Sequence, residues 1–327
     1  MSALKRFSLT FGCMLTILAA PMAQNAVPAR QVGNISGDFI PNQVEKGLRP
    51  QWAKSIMKAN ADRPYIYNVK DGEADIFGQM RYQKNMKGMG LIKLTSDNPG
   101  KFEWIRDYGY IAGSTPILTA GTYVGDEYYA FETTFYNNIN MPKAISVVNI
   151  NTGEYVAKKM IQNPTDRRPL ILDEMTYDPK TDRIFGLNYD TDAQTSYIYE
   201  IDRTSLELKH VATIPSLIFT LAADNGCLYA MSMTARGSML NKIEISSINA
   251  AAKTCTMTNT GVDTGVRMGD YSQSMELDKT THRLWWLAQT EDGGASFVEL
   301  DAETGEAKSK TSLSNDLQLL AMAIPYQ

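Results

Sequence analysis

The sequence has few cysteines, no long apolar run after its first residues and no large excess of either charge. Only three of its 327 residues are cysteine, and glycine and proline number 23 and 13, which excludes a disulfide-knotted miniprotein and a collagen-like chain. No later segment approaches the ~20 consecutive apolar residues of a transmembrane helix. The formal net charge is -4 and no basic run exceeds two residues, which argues against nucleic acid as the main partner. Because 43% of the residues are hydrophobic, a large folded core is expected.

The first 23 residues have the pattern of a secretory signal peptide. Lys5 and Arg6 precede an uncharged, largely apolar run over 7–20, and small residues follow as far as Ala23. We expect cleavage after Ala23, with the segment 27–29 as the alternative site. The protein is then exported, to the periplasm, the cell surface or the medium.

The remainder of the chain repeats one pattern of short strands and tight turns. An apolar strand, a polar turn and an aromatic-rich strand occur over 175–185, 221–229 and 275–285, and more loosely over 122–129. An aspartate opens the turn in three of these segments because its carboxylate can accept hydrogen bonds from backbone N–H groups two residues later. Composition rich in Tyr, Ile, Val and Phe also favours β-structure.

A second hairpin follows each of these units. Its turn is clearest at 148–154 and 298–305, where Gly153 and Gly305 supply the positive φ that the turn needs. A repeat of about 40–50 residues containing four strands is typical of a propeller blade. Counting the units predicts an all-β protein, a propeller of five four-stranded blades, or six if Tyr65-Ile66-Tyr67 belongs to a further unit.

The first unit lacks an innermost strand, and the chain ends in an apolar segment over 317–324. We expect this segment to complete the first blade beside Asp75–Tyr82, because the pairing hides two sheet edges. The predicted organisation is a signal peptide over 1–23, an N-terminal extension over 24–63 with a short helix at 50–58, and a propeller over 64–327.

Three segments carry a resemblance to secreted β-propeller proteins of anaerobic gut bacteria. They are Tyr-Asp-Pro-Lys-Thr-Asp-Arg-Ile-Phe-Gly (177–186), Leu-Ala-Ala-Asp-Asn-Gly-Cys-Leu-Tyr (221–229) and Met-Ala-Ile-Pro-Tyr (322–326). Longer members of that group continue into fibronectin-like and lectin-like adhesin modules, which this sequence, ending at Gln327, lacks. The resemblance implies a propeller fold and a role in adhesion at the cell surface.

Two cysteines remain after the signal peptide. We place Cys227 at the start of the second strand of the fourth unit and Cys255 in its fourth strand, over 253–258. Strands two positions apart in a sheet are nearly 10 Å apart, beyond the ~7 Å limit of a disulfide. The sequence therefore predicts two unpaired cysteines.

The strand order defines two faces of the propeller. One face, the turn rim, carries the connections between first and second and between third and fourth strands. The other, the loop rim, carries the connections between second and third strands and between blades, which we expect to be the longer ones. Recognition sites often occur on long loops of a rigid scaffold. The sequence therefore predicts a ligand site on the loop rim, formed by Arg106, Tyr108, Tyr110, Arg167, Arg168, Arg267, Asp270 and Tyr271.

The alternative is a metal-dependent enzyme. Propeller lactonases and sugar hydrolases hold a divalent metal at the channel mouth, where this chain aligns Glu174, Thr220 and Ser274, with Asp173 and Gln273 beside them. One or two carboxylates make a poor calcium cage, which needs 6–8 oxygen ligands. If a metal binds at all, Asp173 and Glu174 are the expected ligands, and no other cofactor is expected.

Neither histidine supports a catalytic site. His210 is expected in an outer strand and His282 in a turn of the turn rim, too far apart for a zinc site or a Ser-His-Asp relay. Trp285 and Trp286 must face opposite sides of their strand, where packing between blades accounts for both.

These observations favour an exported, non-catalytic propeller that binds a glycan, a protein or another ligand on its loop rim. A metal-assisted hydrolase or lactonase is the second hypothesis, and a purely structural module of a cell-surface assembly is the third.

Overall fold

A computed structural model describes residues 73–80, 89–109, 116–125, 127–133, 143–162, 170–269, 273–313 and 318–326. Its strands, β1 to β20 in chain order, form five four-stranded antiparallel sheets arranged in a ring. The protein is thus a five-bladed β-propeller, as the repeat count predicts. The predicted signal peptide, N-terminal extension and helix at 50–58 lie outside the described residues.

Each blade extends from an inner strand at the propeller axis to an outer strand at the periphery. In that order, blade 1 contains β20 (Leu319–Ala323), β1 (Asp75–Met80), β2 (Gly90–Thr95) and β3 (Phe102–Asp107). Blade 2 contains β4 (Ile117–Val124), β5 (Glu127–Thr133), β6 (Lys143–Val148) and β7 (Tyr155–Met160). Blade 3 contains β8 (Glu174–Asp178), β9 (Arg183–Asp190), β10 (Thr195–Ile201) and β11 (Leu208–Ile214). Blade 4 contains β12 (Thr220–Asp224), β13 (Cys227–Met233), β14 (Ser238–Glu244) and β15 (Met257–Asp263). Blade 5 contains β16 (Ser274–Asp278), β17 (Arg283–Gln289), β18 (Ala295–Leu300) and β19 (Ala307–Leu313).

The aspartate turn at Asp278 forms as the sequence predicts, whereas Asp178 accepts from the N–H three residues on and the Gly226 N–H of the Asp224 turn donates to Asp178 instead. The Asp178 carboxylate accepts hydrogen bonds from the Thr181 N–H at 3.0 Å and from the Gly226 N–H of the next blade, also at 3.0 Å. The Asp278 carboxylate likewise accepts from the Thr280 N–H at 2.9 Å. These bonds satisfy backbone groups that a tight turn leaves without a strand partner, and the bond to Gly226 joins two blades.

The C-terminal strand closes the ring. β20 pairs antiparallel with β1, with Phe77 opposite Ala323 and Met80 opposite Leu319. Every residue of β20 is buried. The predicted pairing is confirmed: β1 has a partner on both sides, and β20 is the inner strand of blade 1.

Four clusters of buried apolar side chains are found among the described residues, each between two neighbouring blades. They lie between blades 2 and 3, 3 and 4, 4 and 5, and 5 and 1. Trp286 belongs to the cluster between blades 4 and 5 and Trp285 to the one between blades 5 and 1. The two tryptophans therefore pack on opposite faces of blade 5, as their adjacent positions in a strand require.

Blade 4 differs from its predicted strand positions. β15 begins at Met257, so Cys255 precedes the strand instead of lying in it. The Asn249 side chain accepts hydrogen bonds from the Ala251 and Ala252 N–H groups. These bonds fold the chain between β14 and β15 into a compact turn, so β15 begins later than predicted. Cys227 and Cys255 are nevertheless unpaired, as predicted.

Within a blade, we expected the loop-rim connection to be longer than the turn-rim connections. This expectation is wrong for blades 3, 4 and 5. Their loop-rim connections are short turns at 191–194, 234–237 and 290–294, closed by bonds such as Thr234 N–H to the Gly237 carbonyl at 3.0 Å. The connection at 245–256 lies on the turn rim and is longer than these. None of the described segments is a helix with the length and apolarity needed to cross a membrane.

Candidate functional site

The structure describes three of the eight residues predicted for the loop-rim site: Arg106, Tyr108 and Arg267. The other five, Tyr110, Arg167, Arg168, Asp270 and Tyr271, lie outside the described residues. The three described residues occupy two separate places, since Arg106 and Tyr108 lie at the end of blade 1 and Arg267 lies between blades 4 and 5.

Arg267 is a surface residue at the loop-rim boundary of blades 4 and 5. Its side chain is 62% exposed and lies 3.6 Å from the Glu291 carboxylate. It also donates a hydrogen bond to the Arg236 carbonyl at 3.2 Å. An exposed ion pair of this kind adds little to stability, so Arg267 and Glu291 remain available to a ligand.

Arg106 and Tyr108 are turned towards blade 2 by a β-bulge. In the pairing of β2 with β3, Leu91 lies opposite Arg106 and Ile92 opposite Trp104, so Ile105 is the extra residue. A bulge reverses the side-chain alternation beyond it. Arg106 therefore reaches the outer hairpin of blade 2, where its guanidinium lies 3.9 Å from Glu154.

Tyr108 is a packing residue rather than an exposed one. It is 3% exposed, and its hydroxyl donates to the Gly153 carbonyl of blade 2 at 3.0 Å. Burial raises the pKa of its hydroxyl far above the usual value. Tyr108 thus joins two blades and does not offer its hydroxyl to solvent.

The propeller axis contains a buried glutamate bound by uncharged donors. The Glu174 carboxylate accepts hydrogen bonds from the Ser274 hydroxyl at 2.9 Å and from the Met275 N–H at 2.9 Å. Glu174 has no solvent exposure. Burial raises the pKa of Glu174 well above its usual value, because desolvation of the carboxylate outweighs these hydrogen bonds.

A second buried glutamate, Glu276, lies on β16, the inner strand of blade 5. Its oxygens accept from the Thr122 hydroxyl at 3.1 Å, the Thr176 hydroxyl at 3.3 Å and the Lys279 ammonium at 3.0 Å. Burial raises the pKa of Glu276, and the charge of Lys279 opposes that shift. Sequence reasoning missed Glu276 and Lys279, although a charged residue at the centre of a predicted inner strand was a signal.

Tyrosines gather at the turn-rim end of the axis. The rings of Tyr177 and Tyr326 are stacked with centroids 6.3 Å apart, and Tyr123 meets Tyr326 edge-on at 6.0 Å. The Lys279 ammonium lies 5.6 Å from the centre of the Tyr326 ring. Tyr326 follows β20, so the closing strand also brings an aromatic side chain over this end of the axis.

The residues considered for a metal site have contacts within the protein. The Glu174 oxygens accept hydrogen bonds from the Ser274 hydroxyl and the Met275 N–H. Asp173 is buried and its carboxylate lies 3.4 Å from the Tyr189 N–H. Thr220 contacts the Met275 sulfur at 3.7 Å. Within the described ranges, no three His, Cys, Asp or Glu side chains are grouped to hold a metal ion.

The two histidines lie apart, in different blades, as predicted. His282 is in a turn of blade 5 and its Nδ1 lies 2.7 Å from the Asp224 carboxylate of blade 4. His210 is on β11 between the rings of Tyr197 and Tyr199, each with its centroid 5.5 Å away. Both arrangements are contacts within or between blades.

The sequence matches no protein-family model and no curated protein. Solved propeller-containing structures resemble it at low identity. TolB from Acinetobacter baumannii is 11% identical with a TM-score of 0.43, over 76% of this chain and 55% of that one. The exo-β-1,3-galactanase 1,3Gal43A from Clostridium thermocellum is 10% identical with a TM-score of 0.46, over 79% and 64%. An α-L-arabinofuranosidase from Clostridium thermocellum ATCC 27405 is 9% identical with a TM-score of 0.43, over 78% and 97%.

The chain spans less than two thirds of the length of the first two of these proteins. At such identities and TM-scores the likeness carries no argument about activity or ligand. The hydrogen-bonded sheets and their order around the axis are what identify the chain as a five-bladed β-propeller.

Proposed function

We propose that this protein is an exported, non-catalytic β-propeller that binds a glycan or protein ligand on its loop rim, in a role at the cell surface. The proposal of export rests on the signal-peptide pattern of residues 1–23. The proposal of a cell-surface role rests on the resemblance carried by residues 177–186, 221–229 and 322–326.

The contrast between the axis and the loop rim supports binding over catalysis. At the axis, the carboxylates of Glu174 and Glu276 are buried and their oxygens accept hydrogen bonds from within the protein. On the loop rim, Arg267 is exposed beside Glu291. Exposed charged groups on a rigid scaffold suit recognition, and arginine is enriched at binding interfaces.

Charge reversal on the loop rim tests this proposal. We expect wild-type protein to be retained on an array of neutral and acidic oligosaccharides or on an array of extracellular proteins. Arg168→Glu and Arg267→Glu should each weaken retention about tenfold or more, because each replaces a donor with a repelling charge. The matched control is Arg203→Glu, since Arg203 is an exposed, ion-paired arginine of the turn rim and its replacement should leave retention unchanged.

Two results contradict the proposal. One is equal retention of the wild type and both loop-rim variants. The other is turnover of a lactone or a glycoside that a chelator abolishes and a divalent metal restores, which indicates the metal-assisted hydrolase instead.

A further inference from the structure

The outer strand of blade 1 presents a sheet edge and an exposed tryptophan. β3 pairs with β2 on one side and, within the described part of the chain, with no strand on the other. Trp104, on β3, is 40% exposed, whereas Trp285 and Trp286 are buried. A sheet edge carries N–H and C=O groups without strand partners, so a second chain can add to it.

The outer strands of the other blades are protected against such pairing. Lysine is a common protection, because its charge loses water when a second strand approaches. Three of these outer strands contain lysine: Lys158 and Lys159 on β7, Lys209 on β11, and Lys308 and Lys310 on β19. β15 contains none, but Gly261, with φ +78°, interrupts it. β3 contains neither a lysine nor a glycine.

The bulge of β3 brings two opposite charges to one face of the strand. A register irregularity occurs in the pairing of every outer strand, so the bulge itself does not distinguish β3. In β3 the extra residue is Ile105, so Arg106 lies on the face of Glu103 instead of the face of Trp104. Glu103 has no ion-pair partner among the described residues, and Arg106 lies 3.9 Å from the exposed Glu154.

These positions make β3 complementary to itself. Two copies of β3 can pair antiparallel about a two-fold axis at Trp104, with Ile105 as the bulged residue of each. Glu103 of one copy then lies opposite Arg106 of the other, and the symmetry makes this pair occur twice. Trp104 lies opposite Trp104 of the second copy. Cross-strand aromatic pairs and opposite charges both stabilise a sheet.

Trp104 is already oriented in the single copy. Its ring meets that of Phe102 edge-on, with the ring centroids 5.8 Å apart and the planes at 86°. Phe102 in turn packs against the apolar cluster between blades 5 and 1. The tryptophan therefore loses little side-chain freedom when a second copy covers it, which favours association.

We propose that β3 is a homodimer interface, where the edge of blade 1 pairs antiparallel with the same edge of a second copy of this chain. The dimer goes beyond the proposed function and does not depend on it, because β3 lies at the periphery of the propeller. Edge-to-edge contact buries less surface than a standard interface, so we expect a weak dimer, populated above about 0.1 mM.

Charge exchange between copies tests the pairing by sedimentation velocity at rising protein concentration. Glu103→Arg places like charges opposite each other in both pairs, and so does Arg106→Glu. We expect each variant alone to dimerise about tenfold or more weakly than the wild type. An equal mixture of the two variants should form dimers with one copy of each, because every basic side chain at 103 or 106 then faces an acidic one.

Replacement of the tryptophan tests the centre of the interface. Trp104→Lys introduces the protection that other outer strands have, and it should weaken dimerisation about tenfold or more. The control is Met160→Lys, because Met160 is a 38% exposed apolar residue of the outer strand β7. This control should dimerise as the wild type does.

Three results overturn the proposal. The first is a wild type that is monomeric at every concentration, either because residues 24–63 cover β3 or because β3 receives an extended segment of another protein. Dimerisation only after removal of 24–63 identifies the former. The second is a dimer that Trp104→Lys leaves intact. The third is a mixture of Glu103→Arg and Arg106→Glu that stays as monomeric as each variant alone. Retention on the ligand arrays is measured separately, so either proposal can fail without the other.

Discussion

At the scale of single residues, the two axial glutamates are stabilised by different partners. Glu276 has the Lys279 ammonium at 3.0 Å, whereas the hydrogen bonds to Glu174 come from a hydroxyl and an N–H group. Without a cation beside it, Glu174 is expected to retain its proton in the folded protein. A protonated carboxyl group can occupy this position without an uncompensated charge.

Glu174 should make stability depend on pH. A carboxyl group whose pKa is higher when folded contributes fully to stability below its unfolded pKa, and that contribution declines as the pH rises towards the folded pKa. We expect the denaturant concentration at the unfolding midpoint of the wild type to fall as the pH rises above the usual pKa of a glutamate. Glu174→Gln keeps an uncharged acceptor for the Met275 N–H. The midpoint of this variant should fall less over the same pH range.

The control for this prediction is Glu303→Gln, because Glu303 is an exposed carboxylate on an outer turn. It should leave the pH dependence as in the wild type. An identical decline in Glu174→Gln and the wild type would show that Glu174 is already ionised in the folded protein.

At the scale of elements, β20 is held by the two blades beside its own. The Met322 N–H donates to the Ser274 hydroxyl of blade 5 at 2.9 Å, and the Tyr128 hydroxyl of blade 2 donates to the Ala321 carbonyl. Gly121 permits the second contact, since a Cβ at that position would lie 2.6 Å from the Tyr128 hydroxyl. The closing strand is therefore bonded to three blades.

Removal of β20 should abolish the cooperative fold. Deletion of 319–327 leaves the edge of β1 unpaired and removes the five buried residues of β20 from the ring. We expect loss of the cooperative thermal transition, measured by calorimetry, and exposure of apolar surface to a fluorescent dye. Deletion of Gln327 alone is the control and should unfold as the wild type does. A cooperative transition in the longer deletion would show that the ring is stable without closure.

At the scale of the whole molecule, the outer turn of a blade packs on the outer part of the preceding blade. The Gly153 carbonyl of blade 2 accepts from Tyr108 of blade 1, and the Ser205 carbonyl of blade 3 accepts from Lys159 of blade 2. Glu303 of blade 5 pairs with Lys242 of blade 4 at 2.8 Å. These contacts run in one direction round the ring, so the blades are joined at the periphery as well as at the axis.

Two glycines with the same backbone conformation test the peripheral contacts. Gly305 has φ +77° and an added Cβ would meet the Thr260 hydroxyl of blade 4 at 2.5 Å, whereas Gly261 has φ +78° and open space. Both alanine variants carry the same backbone strain. The difference between their free energies of unfolding therefore reports the contact between blades. We expect Gly305→Ala to lower the free energy of unfolding by about 1–3 kcal/mol more than Gly261→Ala in denaturant titration. Equal losses would mean that the outer turn does not pack tightly on blade 4.

Much of the fold was predictable because its determinants are local. Asp178 and Asp278 close turns with N–H groups two or three residues away, and Gly153 and Gly305 have the positive φ expected of them. Repetition of these signals fixed the number of blades, and the unpaired apolar strand at the C-terminus indicated closure.

The candidate site was less predictable because its geometry depends on contacts between blades. Tyr108 lies two residues from Arg106 in a predicted loop, yet one bulge buries it against Gly153.

The sequence by itself determined the strands, the turns, the five blades and the closing strand, because strand alternation and turn chemistry act over a few residues. Only the tertiary structure decided which polar groups meet, such as Glu276 with Thr122 at the axis and Tyr108 with the Gly153 carbonyl between blades 1 and 2. These partners are distant in sequence, and their contacts depend on how each sheet twists and packs on the next.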